Sequence, residues 1–281
     1  MKIAVLSGKG GTGKTLVSVN LASVAGPSTY IDCDVEEPNG HLFFKPNVVR
    51  SEKVAVKIPV VDAAHCTGCR TCVEFCQYNA LAFIRNKPLV FEEVCHSCGG
   101  CVLLCPQKAL HEQEKNIGVV EDGYSGEVFV RTGMLNTGEV SGVPIIRKLQ
   151  RELPDETKTV LIDCPPGSAC VVMESIKDAD YCILVAEPTI FGAQNLGMVH
   201  ELVTLFKKPC GAVLNKCQSG DNPSEQYCCE KSIRILGRIP FDSELGAMNS
   251  NAIIAARASG KYHQLFTELL DAVLTEVGKP T

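Results

Sequence analysis

Several features that would point to a familiar class of protein are missing from this chain of 281 residues. It has no tryptophan, and it has no apolar run of the roughly 18 residues that a membrane helix needs. The first residues lead into a glycine loop instead of a signal-peptide cleavage site, so we expect a soluble, cytoplasmic protein with no membrane partner. The charge excess is small, with 27 Lys and Arg against 32 Asp and Glu, which argues against a nucleic-acid partner bound by bulk charge.

Cysteine, by contrast, is abundant. The chain contains 16 cysteines, and a reducing cytosol would keep them available as metal ligands instead of disulfides. Eight of them form two runs with the spacing C-x2-C-x2-C-x3-C, and a shift of 29 residues superposes one run on the other. Together with apolar runs at 58–61 and 87–91, this repeat predicts two copies of a small β-α-β unit.

The two runs resemble those of bacterial two-cluster ferredoxins, in which three cysteines of one run and the fourth of the other hold each 4Fe-4S cubane. The resemblance implies that the ligands of cluster one are Cys66, Cys69, Cys72 and Cys105, and that those of cluster two are Cys95, Cys98, Cys101 and Cys76. Cys105 is followed by Pro106, as in the ferredoxin pattern, whereas Cys76 is followed by Gln77. Structural zinc is the alternative, although three cysteines at successive gaps of two residues are not a usual zinc layout.

A phosphate-binding loop is predicted near the amino end. An apolar strand pattern at 3–6 precedes the motif G-x4-G-K-T, and a helical pattern follows at 16–24. This order of strand, glycine loop and helix is the one that the motif requires. The residues expected to surround phosphate with their backbone are Gly8, Gly10, Gly11, Thr12 and Gly13. Lys14 would then reach the outer phosphates, and the Thr15 hydroxyl would bind Mg²⁺.

Lys9 makes this loop resemble the deviant Walker A motif of the MinD, ParA, Mrp and nitrogenase iron-protein class of ATPases. In that class the additional lysine crosses a dimer interface and contacts the partner's nucleotide. The resemblance therefore implies a Mg-dependent, ATP-hydrolysing homodimer in which Lys9 stabilises phosphate charge in trans. The alternative for Lys9 is an ordinary solvated surface lysine.

Three later strand ends match the same class in order. Strand patterns at 28–31, 159–162 and 211–214 are each followed by polar residues. By resemblance, the first end is a switch segment (residues 32–39) in which Asp34 would position the attacking water and Asp32 would support Mg²⁺. The second end resembles a Walker B motif and second switch segment (residues 163–167), with Asp163 near Mg²⁺ and Gly167 following the γ-phosphate.

The third strand end supplies Asn215, which resembles the adenine-reading residue, and Pro240 is expected in a loop beside the base. Strands that alternate with helices predict an α/β fold with a doubly wound, mainly parallel sheet and a ligand at the carboxyl ends of the strands. Together the motifs resemble MinD-superfamily P-loop ATPases with an inserted small α+β ferredoxin-like domain. The predicted division is an ATPase domain at 1–56 and 119–281, with the insertion at 57–118.

Three functions are compatible with these motifs. The first, which we favour, is an ATP-gated electron carrier whose nucleotide-dependent dimer switching controls electron delivery to a redox partner protein. The second is an ATPase that assembles iron-sulfur or related metalloclusters, or transfers them to a partner, as Mrp-type carriers do. Those carriers have a C-x-x-C pair in the carboxyl-terminal half, which is missing here, but Cys217, Cys228 and Cys229 could form a labile metal site.

The third function is that of a MinD-like spatial regulator. It is disfavoured because the acidic final helix, at about 262–277, is expected to pack on the protein's own core instead of on anionic lipid. Cys170 lies where the second switch of the nitrogenase iron protein carries a cluster ligand, so a dimer-bridging cluster is conceivable. The preferred interpretation of Cys170 is a small buried thiol.

Overall fold

The computed structural model describes residues 1–151, 153 and 158–278. Within these residues the strands are β1 (Lys2–Leu6), β2 (Ser28–Asp32), β3 (Asn47–Val61), β4 (Leu81–Ile84), β5 (Lys87–Val90), β6 (Leu110–Ser125), β7 (Val128–Leu135), β8 (Thr159–Asp163), β9 (Tyr181–Ala186), β10 (Cys210–Cys217) and β11 (Arg234–Pro240). The helices are α1 (Lys14–Val24), α2 (Gly40–Phe44), α3 (Thr71–Phe75), α4 (Gly100–Leu103), α5 (Val143–Leu149), α6 (Cys170–Ile176), α7 (Ile190–Leu205), α8 (Pro223–Glu230), α9 (Ser243–Ser250), α10 (Ala255–Ala258) and α11 (Gly260–Val277).

Nine of these strands form one sheet in the order β11-β10-β9-β1-β8-β2-β7-β6-β3. Neighbouring strands are parallel from β11 to β7. At the other edge β6 is antiparallel to β7, and β3 is antiparallel to β6. The prediction of a mainly parallel α/β sheet is therefore confirmed.

Both faces of the sheet are buried. In β1, Ile3 and Val5 belong to the hydrophobic core on one face, whereas Ala4 and Leu6 belong to the core on the other. Helices α1, α9, α10 and α11 contribute to the first core, and α5, α6, α7 and α8 contribute to the second. Because successive strand residues point to opposite faces, a strand covered on both sides must be apolar throughout. This explains the apolar runs at 3–6 in β1, 160–162 in β8 and 181–186 in β9.

A long antiparallel hairpin carries the cysteine repeat. Strands β3 and β6 pair from Asn47 opposite Tyr124 to Val61 opposite Leu110. We call residues 47–125 the arm, and residues 62–109, which lie beyond its ladder, the cysteine segment. The cysteine segment contains the β4–β5 hairpin, and its small core includes Cys72, Leu81, Cys101 and Leu110. The predicted insertion boundaries at 57 and 118 fall inside the two long strands.

The final helix packs as predicted. In α11 the buried residues are Tyr262, Phe266, Leu269, Leu270 and Val273, and all five belong to the core on the α1 side of the sheet. No helix in the described part of the chain has both the length and the apolar character that crossing a membrane requires.

Candidate functional site

The loop between β1 and α1 lines a cavity of about 540 Å³. The predicted nucleotide-site residues that line it are Lys9, Gly10, Gly11, Thr12, Gly13, Lys14, Thr15, Asn215 and Pro240. Gly8 is not among them, and it serves close packing instead, because a Cβ there would lie 2.3 Å from the Asn195 carbonyl oxygen. The α2 residues Leu42 and Phe43 and the α9 residue Leu245, which the sequence analysis did not assign to the site, also line the cavity, as does Asn39 of the first switch segment.

Gly13 has a backbone conformation that only glycine adopts without strain. It precedes α1 with φ of 96°, and a Cβ at this position would lie 2.1 Å from Nδ2 of Asn215. That Nδ2 donates a 2.7 Å hydrogen bond to the Thr12 carbonyl. Asn215 therefore holds the loop in shape from the end of β10, and the free N–H groups at the start of α1 are available to an anion.

Lys14 is buried against a carboxylate at the end of a neighbouring strand. Its Nζ lies 3.3 Å from Oδ1 of Asp163, and the Tyr30 hydroxyl donates a 2.9 Å hydrogen bond to Oδ2 of the same carboxylate. Burial alone would lower the pKa of Lys14, but the carboxylates, Asp163 foremost and then Asp34, raise it above its ordinary value. The amine therefore stays charged and can face phosphate. Tyr30 was not anticipated, because its strand pattern indicates only burial.

Asp32 organises the first switch segment. Its Oδ1 accepts the N–H of Asp34 at 3.1 Å, and its Oδ2 accepts those of Asn39 at 3.0 Å and Gly40 at 2.8 Å. Burial, reinforced by the nearby Asp163, raises the pKa of Asp32 to about 7. Burial also raises the pKa of the half-buried Asp34. Oxygen atoms are the ligands that a hard cation such as Mg²⁺ prefers. The carboxylates of Asp32 and Asp163 and the hydroxyl of Thr15, which lines the cavity, therefore fit Mg²⁺.

The signature lysine of the loop contacts its own chain. Lys9 Nζ lies 2.8 Å from Oε2 of Glu187, and Lys216 Nζ lies 2.6 Å from Oε1 of the same carboxylate. Lys216 also donates a 2.8 Å hydrogen bond to the Gly11 carbonyl. Burial alone would raise the pKa of Glu187, but these two ammonium groups lower it below its ordinary value. In this structure Lys9 is therefore held within its own chain by Glu187.

The second switch segment is docked on the phosphate-binding loop. The Gly167 N–H donates a 3.0 Å hydrogen bond to the Ser7 carbonyl, and the φ of Gly167 is 91°. Gly167 itself does not line the cavity. This hydrogen bond joins residues 163–167 directly to the residue that precedes the phosphate-binding loop.

The cysteine segment encloses two separate cavities. The first set of cysteines, Cys66, Cys69, Cys72 and Cys105, lines one cavity, and the second set, Cys76, Cys95, Cys98 and Cys101, lines the other, whose volume is about 250 Å³. These are the two groupings that the ferredoxin resemblance implies. Each repeat also makes an equivalent hydrogen bond to its fourth cysteine. The N–H of Ala80 donates to Cys76 Sγ at 3.4 Å, and the N–H of Ala109 donates to Cys105 Sγ at 3.2 Å.

Each set supplies four sulfur donors to the lining of one cavity. Within residues 1–151, 153 and 158–278, no group of three or more His, Cys, Asp or Glu side chains is arranged to hold a single metal ion. Soft thiolate donors suit an iron-sulfur cluster in their chemistry, and the cavity of the first set, at about 10 Å³, is much smaller than that of the second.

The remaining candidate cysteines differ from one another in exposure. Cys170, expected to be a buried thiol, is instead exposed at the first position of α6, so that interpretation was wrong. The reason is that α6 buries Val172, Ser175 and Ile176, and Cys170 does not lie among these buried residues. Of the other three, Cys228 is buried in the core and Cys229 is exposed, while Cys217 is half-buried on β10. The adjacent pair therefore lies in two different environments.

Comparison with known proteins identifies the nucleotide-binding part. A family model described as the CobQ/CobB/MinD/ParA nucleotide binding domain (CbiA) matches residues 3–253. An uncharacterized protein of Methanocaldococcus jannaschii is 27% identical over 275 residues, which cover 96% of this chain and 95% of that protein. An uncharacterized ATP-binding protein of the same organism is 23% identical over 243 residues, 85% of this chain and 74% of that protein.

A shorter match concerns a redox protein. Over 61 residues, 22% of this chain and 23% of that protein, the chain is 33% identical to one component of an ion-translocating oxidoreductase complex of Methanosarcina acetivorans. Among solved structures, the cell division ATPase MinD of Pyrococcus furiosus has a TM-score of 0.60 at 19% identity and 98% coverage of both chains. MinD of Pyrococcus horikoshii, complexed with Mg-ADP, has a TM-score of 0.60 at 18% identity, covering 99% of this chain and 97% of that one. Both structures share the fold of this chain.

Proposed function

Since the chain belongs to the CobQ/CobB/MinD/ParA family of nucleotide-binding domains, we propose that it is a P-loop ATPase whose nucleotide-dependent dimer switching controls electron delivery from iron-sulfur clusters to a partner protein. In this proposal residues 1–56 and 119–281 form the ATPase, and residues 57–118 form an inserted two-cluster ferredoxin-like domain. The active form is a homodimer of the cytoplasm.

Hydrolysis would use the residues around the cavity. Lys14 and the N–H groups at the start of α1 would hold the phosphates, with Asn215 and Pro240 on the base side. Mg²⁺, held through Thr15, Asp32 and Asp163, would neutralise charge on the phosphates when bound. Asp34 would orient the attacking water. Lys9, once released from Glu187, would stabilise the transferring phosphoryl group of the second chain.

Two cysteine sets would hold the redox groups. The first set suits one 4Fe-4S cluster and the second set suits another, and such clusters supply one-electron transfer when bound. The support for this assignment is that each cavity gathers cysteines from both runs. The local similarity to a component of an oxidoreductase complex agrees with a redox role.

The observation that carries the proposal is the position of the arm between the two switch segments. The chain leaves the first switch segment through α2 and enters β3 at Asn47. After β6 it returns through β7, whose last residue, Leu135, donates a 2.8 Å hydrogen bond to the carbonyl of Val35 in the first switch segment. It then passes through α5 into β8, which ends at Asp163. Nucleotide-dependent movement of the first switch segment would therefore reach the arm along the chain through α2 and across β7, which pairs with β6.

Val35 makes the closest packing contacts at this connection. It is fully buried, and a Cβ added at Gly133 or Gly142 would lie 2.9 Å or 2.3 Å from its methyl groups. Packed interfaces of this kind move between discrete arrangements instead of deforming continuously. A shift of Val35 must therefore be accompanied by a shift of β7 and of the loop that follows it.

The proposal is tested on anaerobically purified protein. We expect about eight irons and a similar amount of acid-labile sulfide per chain, as two 4Fe-4S clusters require. The EPR spectrum of the reduced protein and its midpoint potentials should differ between the MgADP state and the state with a non-hydrolysable MgATP analogue. The matched control is Lys14→Ala, which should retain its iron but lose the nucleotide dependence.

Three results would count against this function. Zinc, or no metal, in the purified protein would remove the redox role and leave the ATPase. Clusters that ignore the nucleotide but pass readily to an apo-acceptor would favour assembly of iron-sulfur clusters instead. A nucleotide effect that persists in Lys14→Ala would show that it does not come from this site.

A further inference from the structure

Lys115, on β6 of the arm, connects the ATPase to the cysteine segment. Its Nζ lies 3.0 Å from Oε2 of Glu139 and 3.5 Å from the carbonyl oxygen of Glu92. The Lys115 side chain is 20% exposed and that of Glu139 is 13% exposed. This ion pair is therefore better shielded from water than most surface pairs, and the loss of one partner would leave the other charge poorly solvated.

Glu139 lies in the loop 136–142, between β7 and α5, and both ends of that loop are attached to the first switch segment. Before the loop, Leu135 donates its N–H to the Val35 carbonyl, and at its end Gly142 packs on a Val35 methyl group. Asn136 holds the loop on β6, since its N–H donates a 2.8 Å hydrogen bond to the Ile117 carbonyl. The loop that carries Glu139 is thus attached both to Val35 and to β6.

On its other side, Lys115 contacts the backbone of the second cysteine set. The Glu92 carbonyl that faces Lys115 also accepts the N–H of Cys95 at 3.3 Å, and Cys95 is the first cysteine of the second run. The loop that follows folds back along the same strand, because a Cβ at Gly99 would lie 3.2 Å from Oε1 of Glu112 on β6. The second run therefore lies against β6 at both Glu92 and Gly99.

The first run makes a different set of contacts. Its described polar contacts stay within the cysteine segment, where His65 Nδ1 lies 2.7 Å from Oδ2 of Asp62 and the Asp62 N–H donates to the Ala109 carbonyl at 2.7 Å. The position equivalent to Glu92 in this run is Ala63, 29 residues earlier. The two clusters of the proposed function would therefore be coupled to the ATPase to different extents.

We propose that Lys115 and Glu139 form a positioning pair that connects the first switch segment to the second cysteine set, so that nucleotide state alters the properties of cluster two and not those of cluster one. This inference rests on the proposed function. When Val35 moves, Glu139 moves with its loop, and the ammonium group of Lys115 changes its position relative to the backbone around Cys95. Charge and hydrogen bonding near a cluster set its reduction potential, so this change is measurable.

The test compares variants of the holoprotein, purified anaerobically, with MgADP and with a non-hydrolysable MgATP analogue. In the unmodified chain we expect a nucleotide-dependent change in the potential and EPR signal of one cluster only. Lys115→Met and Glu139→Gln should keep their iron content and basal ATPase activity but lose most of that change. Lys115→Arg, which keeps the charge, should retain it.

The matched control is Lys57→Met. Lys57 pairs with Glu112 at 3.1 Å on the same hairpin but is 65% exposed, so its loss removes an equal charge from the arm without breaking the connection to loop 136–142. It should leave the nucleotide-dependent change intact. Hydrogen exchange gives a second readout, because amides in 92–101 should respond to nucleotide in the unmodified chain and not in Lys115→Met.

The possible failures are distinguishable. If the unmodified chain shows no nucleotide-dependent change in either cluster, the proposed function fails and this inference fails with it. If the change is present but survives in both Lys115→Met and Glu139→Gln, or affects both clusters equally, only the positioning pair is overturned. Equal losses in Lys57→Met and Lys115→Met would overturn it as well, since they would reflect charge alone.

Discussion

Replacing Glu187 with glutamine should strengthen ATP-dependent dimerisation. Glu187 holds the Lys9 ammonium at 2.8 Å within one chain, and the proposed function requires that same ammonium at the nucleotide of the second chain. Each chain must therefore break this pair before the dimer closes. Glutamine removes the charge that holds Lys9 but keeps a side chain of the same shape, so the cost of releasing Lys9 falls.

The size of the effect follows from the exposure of the pair. The Lys9 side chain is 40% exposed, so the pair is treated as a solvent-screened ion pair worth about 0.5 kcal/mol. Two chains each release one pair, which gives about 1 kcal/mol per dimer. Since about 1.4 kcal/mol corresponds to a factor of ten, we expect a dimer dissociation constant that is lower by about fivefold.

Sedimentation velocity with Mg²⁺ and a non-hydrolysable ATP analogue measures this constant directly. Glu174→Gln is the matched control, because Glu174 is 15% exposed against 14% for Glu187 and pairs with the half-exposed Arg147 away from the cavity. It should leave dimerisation unchanged. A dimer that is weaker or unaltered in Glu187→Gln would refute the reasoning, since Glu187 would then not be restraining Lys9.

Two further predictions concern the same cavity. Gly13→Ala combines a left-handed backbone with a Cβ placed 2.1 Å from Asn215 Nδ2. Urea unfolding should therefore show that the free energy of unfolding falls by about 2 to 3 kcal/mol. In the control Gly10→Ala, where a Cβ meets open space, the free energy of unfolding should change by less than about 0.5 kcal/mol. Burial, together with the nearby Asp163, raises the pKa of Asp32 from 3.8 to about 7. Between these two values the folded state retains a proton that the unfolded state releases. The Mg-free protein should therefore lose stability as the pH rises from about 4 to about 7. A melting temperature that stays flat or rises across that window would contradict this assignment, and added Mg²⁺ should offset the loss.

Local patterns predicted the parts of this protein that are contiguous in the chain. The strand, glycine loop and helix at the amino end are consecutive, so their order alone indicates the phosphate-binding loop at Gly8–Thr15, and the family match confirms the nucleotide-binding class. The parallel sheet follows from apolar strands that alternate with helices. Cys170 shows the limit of this reasoning, because a single thiol at the start of a helix carries no periodicity that indicates which way it faces.

Contacts between distant positions could not be predicted in the same way. Asp32 and Asp163 are brought together only because β2 and β8 are adjacent and in register. Tyr30 bonds to Asp163 for the same reason. The pairing of Lys9 with Glu187 depends on where β9 ends relative to β1, which no local signal encodes.

By itself, the sequence determined the chemistry that is available: a loop that can hold phosphate, carboxylates that follow strands, and two repeated cysteine runs whose thiols are soft metal ligands. Only the tertiary structure decided how these parts are connected. It placed the cysteine segment at the end of a long hairpin whose strand β6 pairs with β7, the strand that contacts Val35, and it set Lys115 between Glu139 and Glu92. The physical reason is that backbone geometry limits what neighbouring residues can do, whereas the packing of a nine-stranded sheet decides which distant residues meet.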